Sequence, residues 1–163
     1  MARSAHELTR RIRALITVFI VGLALSGITA FPLLHELDLL VAILGPPVQE
    51  SGFVWWISHV RQALAETYRV WPFLGYGTDW LAFGHLVIAL FFVGPLRDPV
   101  RNVWIIDAGL IACAGVIPLA LICGEIRGIP LYWRLIDCSF GVFGAVPLWW
   151  VRRMIAELEK ARG

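Results

Sequence analysis

The stretch at residues 76–102, YGTDWLAFGHLVIALFFVGPLRDPVRN, decides what kind of fold this chain can adopt. It is apolar from Trp80 to Leu96, and His85 is the one ionisable residue within that run. An apolar run of this length can cross a bilayer, and the charged loop at 97–101 is typical of the point where a span ends. The stretch therefore predicts a transmembrane helix, and a histidine inside such a helix is costly unless it has a partner.

The composition of the whole chain supports the same class of protein. Of the 163 residues, 59% are hydrophobic and only 16% are charged, whereas a soluble domain is usually near half apolar and a quarter charged. The net charge is only +2, and the chain has no Lys/Arg tract, so a nucleic-acid partner is not expected. The composition predicts that the lipid bilayer is the main partner.

Further apolar runs accompany the central one. The predicted spans are residues 15–34, 80–96, 103–123 and 130–151, within a single membrane domain covering 1–163. Two prolines, Pro32 and Pro118, are expected to bend the first and third spans. Small residues spaced four apart predict a packing face on the first span (Gly22, Ser26, Ala30), and small residues on one stripe predict another on the third span (Ala108, Ala112, Ala120, Gly124).

The segment at 36–79, between the first two spans, is too polar to cross the membrane. Apolar residues recur there at helical spacing, at Phe53, Trp56, Ile57, Val60, Leu64, Tyr68 and Trp71. This stripe predicts an amphipathic helix that lies on the extracytoplasmic membrane surface or caps the bundle. The predicted fold class is therefore an all-α integral membrane protein, a bundle of four transmembrane helices with an amphipathic interfacial helix between helices one and two.

The basic residues predict the orientation. Most Lys and Arg residues fall in the N-terminal segment at 1–13, the loop at 97–101 and the tail at 152–163. Short loops rich in Lys and Arg stay in the cytoplasm. The sequence therefore predicts a multi-pass protein of the cell inner (plasma) membrane with both termini cytoplasmic.

The polar residues within the spans are the candidates for function. His85 and Asp137 lie about 9–10 Å into the second and fourth predicted helices at about 1.5 Å per residue, and Arg134 is one turn before Asp137. Both helices enter from the same predicted side, so we expect these three residues in one polar layer. The candidate binding residues are the three in the layer and three at its rim, namely His85, Arg134, Asp137, Asp79, Glu125 and His35.

Two interpretations of this layer remain open. Arg134 and Asp137 could neutralise each other as a structural brace, or the layer could bind or react with a ligand. Asp107, one turn from the inner end of the third span, predicts instead a structural ion pair with Arg97, Arg101 or Arg152. The three cysteines have no metal-binding spacing, and we expect them to pack as small apolar residues within helices.

The leading functional hypothesis is a small polytopic inner-membrane protein with a binding or assembly role, as a homo-oligomer or a subunit of a larger membrane complex. The sequence has no metalloprotease, nucleotide-binding or nucleophile motif to assign a reaction. A second hypothesis is a redox subunit with haem b held between His35 and His85. A third is a transporter or membrane-embedded enzyme in which Arg134 holds an anionic group, and His85 and Asp137 relay a proton.

One segment is similar to a known family. Residues 11–15, leading to Leu25-Ser26-Gly27, resemble the opening helix of haem b cytochrome subunits such as those of formate dehydrogenases. In that family a histidine precedes the Ser-Gly pair at about this distance, and Arg13 stands at the matching position here. The resemblance covers under a fifth of the chain and lacks the ligand, so we assign no family from it.

Overall fold

The computed structural model describes residues 5–162, and the regular structure in that range is entirely helical, as predicted. The helices are α1 Ala5–Ala30, α2 Leu33–Leu44, α3 Gly52–Val70, α4 Tyr76–Phe91, α5 Val93–Arg97, α6 Val103–Pro118, α7 Gly124–Ile126 and α8 Leu131–Arg162. A 3₁₀ turn at Pro72–Gly75 precedes α4, and a π-helical turn at Leu119–Cys123 joins α6 to α7. Arg3, part of the predicted cytoplasmic N-terminus, lies outside the described residues.

Four helical stretches are long and apolar enough to cross a membrane, which confirms that part of the prediction. They are Ala5–Ala30, Pro72–Arg97, Val103–Ile126 and Leu131–Ala161. The first ends at Ala30 instead of residue 34, because Pro32 follows and a new helix, α2, begins at Leu33. The fourth does not stop at residue 151, since α8 runs without a break to Arg162.

The chain divides into two compact units. The hairpin unit is Leu23–Ile88, and the core unit is Met1–Gly22 together with Ala89–Gly163. The boundaries fall within α1 and α4. The single membrane domain predicted for 1–163 stays a prediction.

In the core unit, α6 packs closely along α8 through glycines. A Cβ atom at Gly141 of α8 would lie 2.5 Å from the backbone oxygen of Cys113 of α6, and one at Gly109 of α6 would lie 2.9 Å from Cδ1 of Leu148 of α8. The contact face therefore runs through Gly109 and Cys113 of α6. The face predicted for the third span is wrong in its first half, since Ala108 and Ala112 are exposed. Glycine, with no side chain, permits the shorter approach and so determines which face is used.

The buried apolar side chains are concentrated at one end of the core unit. Leu8, Ile12 and Ile16 of α1 are spaced four apart, and none is more than 2% exposed. The matching buried residues of α8 are Leu148, Val151, Met154, Ile155 and Leu158. This helical spacing of apolar residues through the charged tail explains why α8 continues past residue 151.

The ion pair predicted for Asp107 is present in this unit. Its Oδ1 atom accepts a hydrogen bond from Nε of Arg152 at 2.7 Å, and both side chains are partly exposed. The pair joins α6 to α8. Asp107 thus has a structural partner, as expected for a carboxylate within an apolar helix.

The hairpin unit contains α2 and α3, which pack against each other. Ile57 of α3 is buried, and Arg61 of α3 donates a hydrogen bond to Asp38 of α2 at 2.6 Å. His59 and Glu66 are exposed on another face of α3, so the predicted amphipathic helix exists, while its position at a membrane surface stays a prediction. The close contact of α1 within this unit uses Gly27, where a Cβ would lie 2.8 Å from the backbone oxygen of Ala82.

Candidate functional site

A cleft of about 270 Å³ lies in the core unit beside the π-helical turn. It is lined by residues from the end of α6 through the turn before α8, and by one residue of α8 itself: Val116, Leu119, Ala120, Cys123, Gly124, Arg127, Ile129 and Asp137. Pro118 precedes the π-helical turn, and a proline removes a backbone donor from the helical hydrogen-bond pattern. The proline predicted to bend the third span is thus followed by a widened turn, a feature that often marks functional sites.

Asp137 is the half-buried charged residue of this cleft. It lies six residues after Leu131, about 9 Å along α8 at about 1.5 Å per residue. Within residues 5–162 its carboxylate has no ion-pair or hydrogen-bond partner, whereas Asp107 in α6 is paired with Arg152. Asp107 and Asp137 are therefore in different situations, because Asp107 has a cationic partner and Asp137 has none among the described residues.

Arg134 does not neutralise Asp137. Its guanidinium forms an ion pair with Glu125, and its Nη1 donates a hydrogen bond to the backbone oxygen of Leu121 at 3.2 Å. The arginine stem lies against Gly124, where a Cβ atom would be 2.5 Å from Cδ. The brace between Arg134 and Asp137 that the sequence left open is therefore absent, because the carboxylate of Glu125 and a carbonyl of the π-helical turn take the guanidinium instead.

One donor at this end of α8 is left unsatisfied. The side chain of Arg134 is only 13% exposed, and its Nε–H is buried with no hydrogen-bond partner among the described residues. Arg127, which lines the cleft, is exposed, and its guanidinium has no ion-pair or hydrogen-bond partner in residues 5–162 either. The cleft thus combines an apolar wall with one half-buried carboxylate and one exposed guanidinium.

The other predicted site residues belong to the hairpin unit. His85 is half-buried in α4, its Nδ1 donates a hydrogen bond to the backbone oxygen of Leu81 at 2.8 Å, and its Cβ lies against Gly27. His35 in α2 and Asp79 in the first turn of α4 are exposed.

The six predicted residues are thus divided between the two units. Glu125 and Arg134 are in direct contact, and Asp137 lines the cleft beside them. The layer that was to combine these residues with His85 stays a prediction, and so does haem b held by His35 and His85. Residues 5–162 contain no group of three or more His, Cys, Asp and Glu side chains placed to hold a metal ion.

Sequence reasoning missed two features of the candidate sites. Cys123 lines the cleft, and an aromatic cluster in the hairpin unit includes Tyr76, Trp80 and Phe83. The spacing of these three aromatic residues, at i, i+4 and i+7, already places them on one helix face.

No protein-family model, curated protein or solved structure matches this chain.

Proposed function

We propose that this chain is a four-span inner-membrane protein that binds a small, partly apolar ligand through an ammonium group in the cleft at Asp137. The observation that carries the proposal is the half-buried Asp137 carboxylate, which has no partner within residues 5–162. A carboxylate within an apolar helix is expensive to keep unless something pairs with it. A bound ammonium group would supply the missing partner.

The ligand should be cationic rather than anionic, although Arg127 also lines the cleft. Arg127 is exposed on the turn before α8, so water can solvate its charge, whereas Asp137 is half-buried. The unpaired group that is further from water loses more solvation and gains more from a partner. The apolar wall and the volume of about 270 Å³ favour a compact hydrocarbon body attached to the ammonium group.

The membrane arrangement is part of this proposal. The helix α8 is about 48 Å long at about 1.5 Å per residue, longer than the hydrocarbon core of about 30 Å, so its basic end would extend into the cytoplasm. The Arg153 guanidinium lies 3.9 Å from the ring centre of Trp149, which suits an anchor at the membrane surface. Both termini would be cytoplasmic, and α3 would lie on the opposite surface with its apolar stripe towards lipid.

The test uses Cys123 as a reporter, because this exposed free thiol lines the cleft. The purified protein in mild detergent is treated with N-ethylmaleimide, and modification of each cysteine is followed by mass spectrometry. Cyclohexylammonium should slow the modification of Cys123, and cyclohexanecarboxylate, with the same hydrocarbon body and the opposite charge, should not. In Asp137→Asn the protection by cyclohexylammonium should be lost.

The matched control is Asp107→Asn, which removes a carboxylate that is also within an apolar helix but is paired with Arg152. It should keep the protection of Cys123 but destabilise the fold by less than about 1 kcal/mol, since Asp107 and Arg152 form a partly exposed pair. Asp137→Asn should not lower the unfolding free energy of the ligand-free protein, because no cation loses its partner and an unpaired carboxylate charge is removed. Equal protection in wild type and Asp137→Asn would contradict the proposal, and so would stronger protection by the carboxylate probe.

A further inference from the structure

A second cleft, in the hairpin unit, is made almost entirely of aromatic rings. It has a volume of about 270 Å³ and is lined by Phe31, Tyr76, Asp79, Trp80 and Phe83, which we call the aromatic cleft. The ring centres of Tyr76 and Trp80 are 5.9 Å apart and nearly perpendicular, and those of Trp80 and Phe83 are 6.1 Å apart with the same edge-to-face arrangement. These edge-to-face pairs give the cleft a defined aromatic wall.

The electrostatics of the aromatic cleft favour a cation. The face of an aromatic ring carries negative charge density and attracts ammonium groups within about 6 Å of its centre. The inner surface of the cleft is apolar, and its charged residue is Asp79 at the rim, which is exposed and has no ion-pair or hydrogen-bond partner in the described part of the chain. Among residues 5–162, no Lys or Arg lines this cleft. An ammonium group would therefore complement every charge that the lining presents.

The position of the cleft along the chain indicates where the cation comes from. Its α4 residues lie at the beginning of the apolar stretch Pro72–Arg97, and 56% of Trp80 and 61% of Tyr76 are exposed. Tryptophan and tyrosine at the end of an apolar span lie at the level of the lipid headgroups. The nearest abundant ammonium groups at that level are those of zwitterionic phospholipids.

We propose that the aromatic cleft binds the ammonium headgroup of a zwitterionic phospholipid, with the rings around the cation and Asp79 as its counter-ion. This rests on the membrane insertion proposed above but not on the cleft at Asp137, which belongs to the other unit. Binding would hold one lipid at a defined place on α4. It would make the protein selective for headgroup chemistry at that surface.

The experiment begins with reconstitution of the full chain into vesicles of phosphatidylcholine and phosphatidylglycerol in equal amounts, with identical acyl chains. Flotation and resistance to alkaline extraction establish insertion first. The protein is then extracted in mild detergent, and native mass spectrometry identifies the lipids retained. Wild type should retain phosphatidylcholine in preference to phosphatidylglycerol. In Trp80→Ala the preference should fall by roughly two- to thirtyfold, the fold-change that corresponds to loss of a typical cation–π contact.

Two further variants decide what causes the preference. Asp79→Asn keeps the shape of the side chain and should also lower the preference, because the counter-ion is lost. Trp104→Ala removes an equally exposed tryptophan (60%) outside the cleft and should leave the preference unchanged.

Three results would overturn the proposal. Equal retention of the two lipids by inserted wild type would show that the rings act only as an interfacial aromatic belt. If Trp104→Ala and Trp80→Ala lowered the preference for phosphatidylcholine equally, that result would also show that the rings act only as an interfacial aromatic belt. Failure of the chain to enter the vesicles at all would reject the membrane insertion itself, and flotation distinguishes that result from the others.

Discussion

Gly141 gives the sharpest test of how the core unit is held together, through the substitution Gly141→Ala. The added Cβ would lie 2.5 Å from the backbone oxygen of Cys113 and 3.2 Å from Cβ of Val116. An ordinary carbon–oxygen contact is about 3.3 Å or longer, so α8 must move away from α6 by roughly 0.8 Å. A backbone carbonyl within a helix cannot turn aside as the end of a flexible side chain can.

The expected cost follows from that displacement. A gap of about 0.5–1 Å removes roughly a quarter to a half of the dispersion energy of each contact that it opens. Overpacking of this kind costs about 1–3 kcal/mol, and the gain of about 0.5–1 kcal/mol from alanine in a helix offsets only part of it. We therefore expect Gly141→Ala to lower the unfolding free energy by about 1–2 kcal/mol.

The matched control is Gly115→Ala, on α6, where an added Cβ would meet no atom within 4 Å. This variant should be more stable than wild type by about 0.5–1 kcal/mol, because alanine loses less backbone entropy than glycine. The assay is reversible unfolding in mixed micelles, with both variants measured against wild type under the same conditions. If Gly141→Ala proves as stable as Gly115→Ala, the close contact between α6 and α8 does not hold this unit together.

Two predictions concern the hairpin unit and the orientation. Gly27→Ala should lower the unfolding free energy by about 1–2 kcal/mol in the same assay, since its Cβ would lie 2.8 Å from the backbone oxygen of Ala82. The control is Gly22→Ala, which should not lower the unfolding free energy, because a Cβ at Gly22 would meet no atom within 4 Å. For orientation, with the native cysteines replaced, an impermeant maleimide added to intact spheroplasts should label Glu50→Cys and not Glu159→Cys, because the basic tail stays cytoplasmic. The reverse pattern would overturn the orientation, and labelling of neither on intact cells but both after lysis would place the loop inside.

Asp107 and Asp137, both in the core unit, differ in what their mutation should change. Asp107→Asn should lower stability and keep the ligand protection of Cys123, while Asp137→Asn should remove the protection without lowering stability. This contrast follows from one structural difference, the presence of Arg152 beside Asp107 at 2.7 Å and the absence of any partner for Asp137 within residues 5–162. A carboxylate with a partner supports the fold, and a carboxylate without one is available to a ligand.

Much of the fold could be predicted from local sequence, because the requirements of a membrane span are local. Apolar runs near 80–96 and 103–123 set the helices, and prolines and glycines set their ends, as at Gly45 with φ of +75° after α2. The amphipathic stripe at 53–71 likewise predicted α3 to within one residue at each end, since helical periodicity is visible without any knowledge of neighbours. The Asp107 ion pair was foreseen for a similar reason, because Arg152 was one of only a few cations within reach.

The tertiary structure alone decided which groups meet. Arg134 and Asp137 are one turn apart on α8, and sequence spacing favoured a pair between them. Arg134 contacts Glu125 instead, because Gly124 leaves room for the arginine stem and the π-helical turn presents the Leu121 carbonyl. The packing faces behave in the same way, since Gly141 meets Cys113 while the stripe at Ala108 and Ala112 stays exposed. Which atoms lie in contact depends on how helices distant in the sequence approach each other, and no local pattern contains that information.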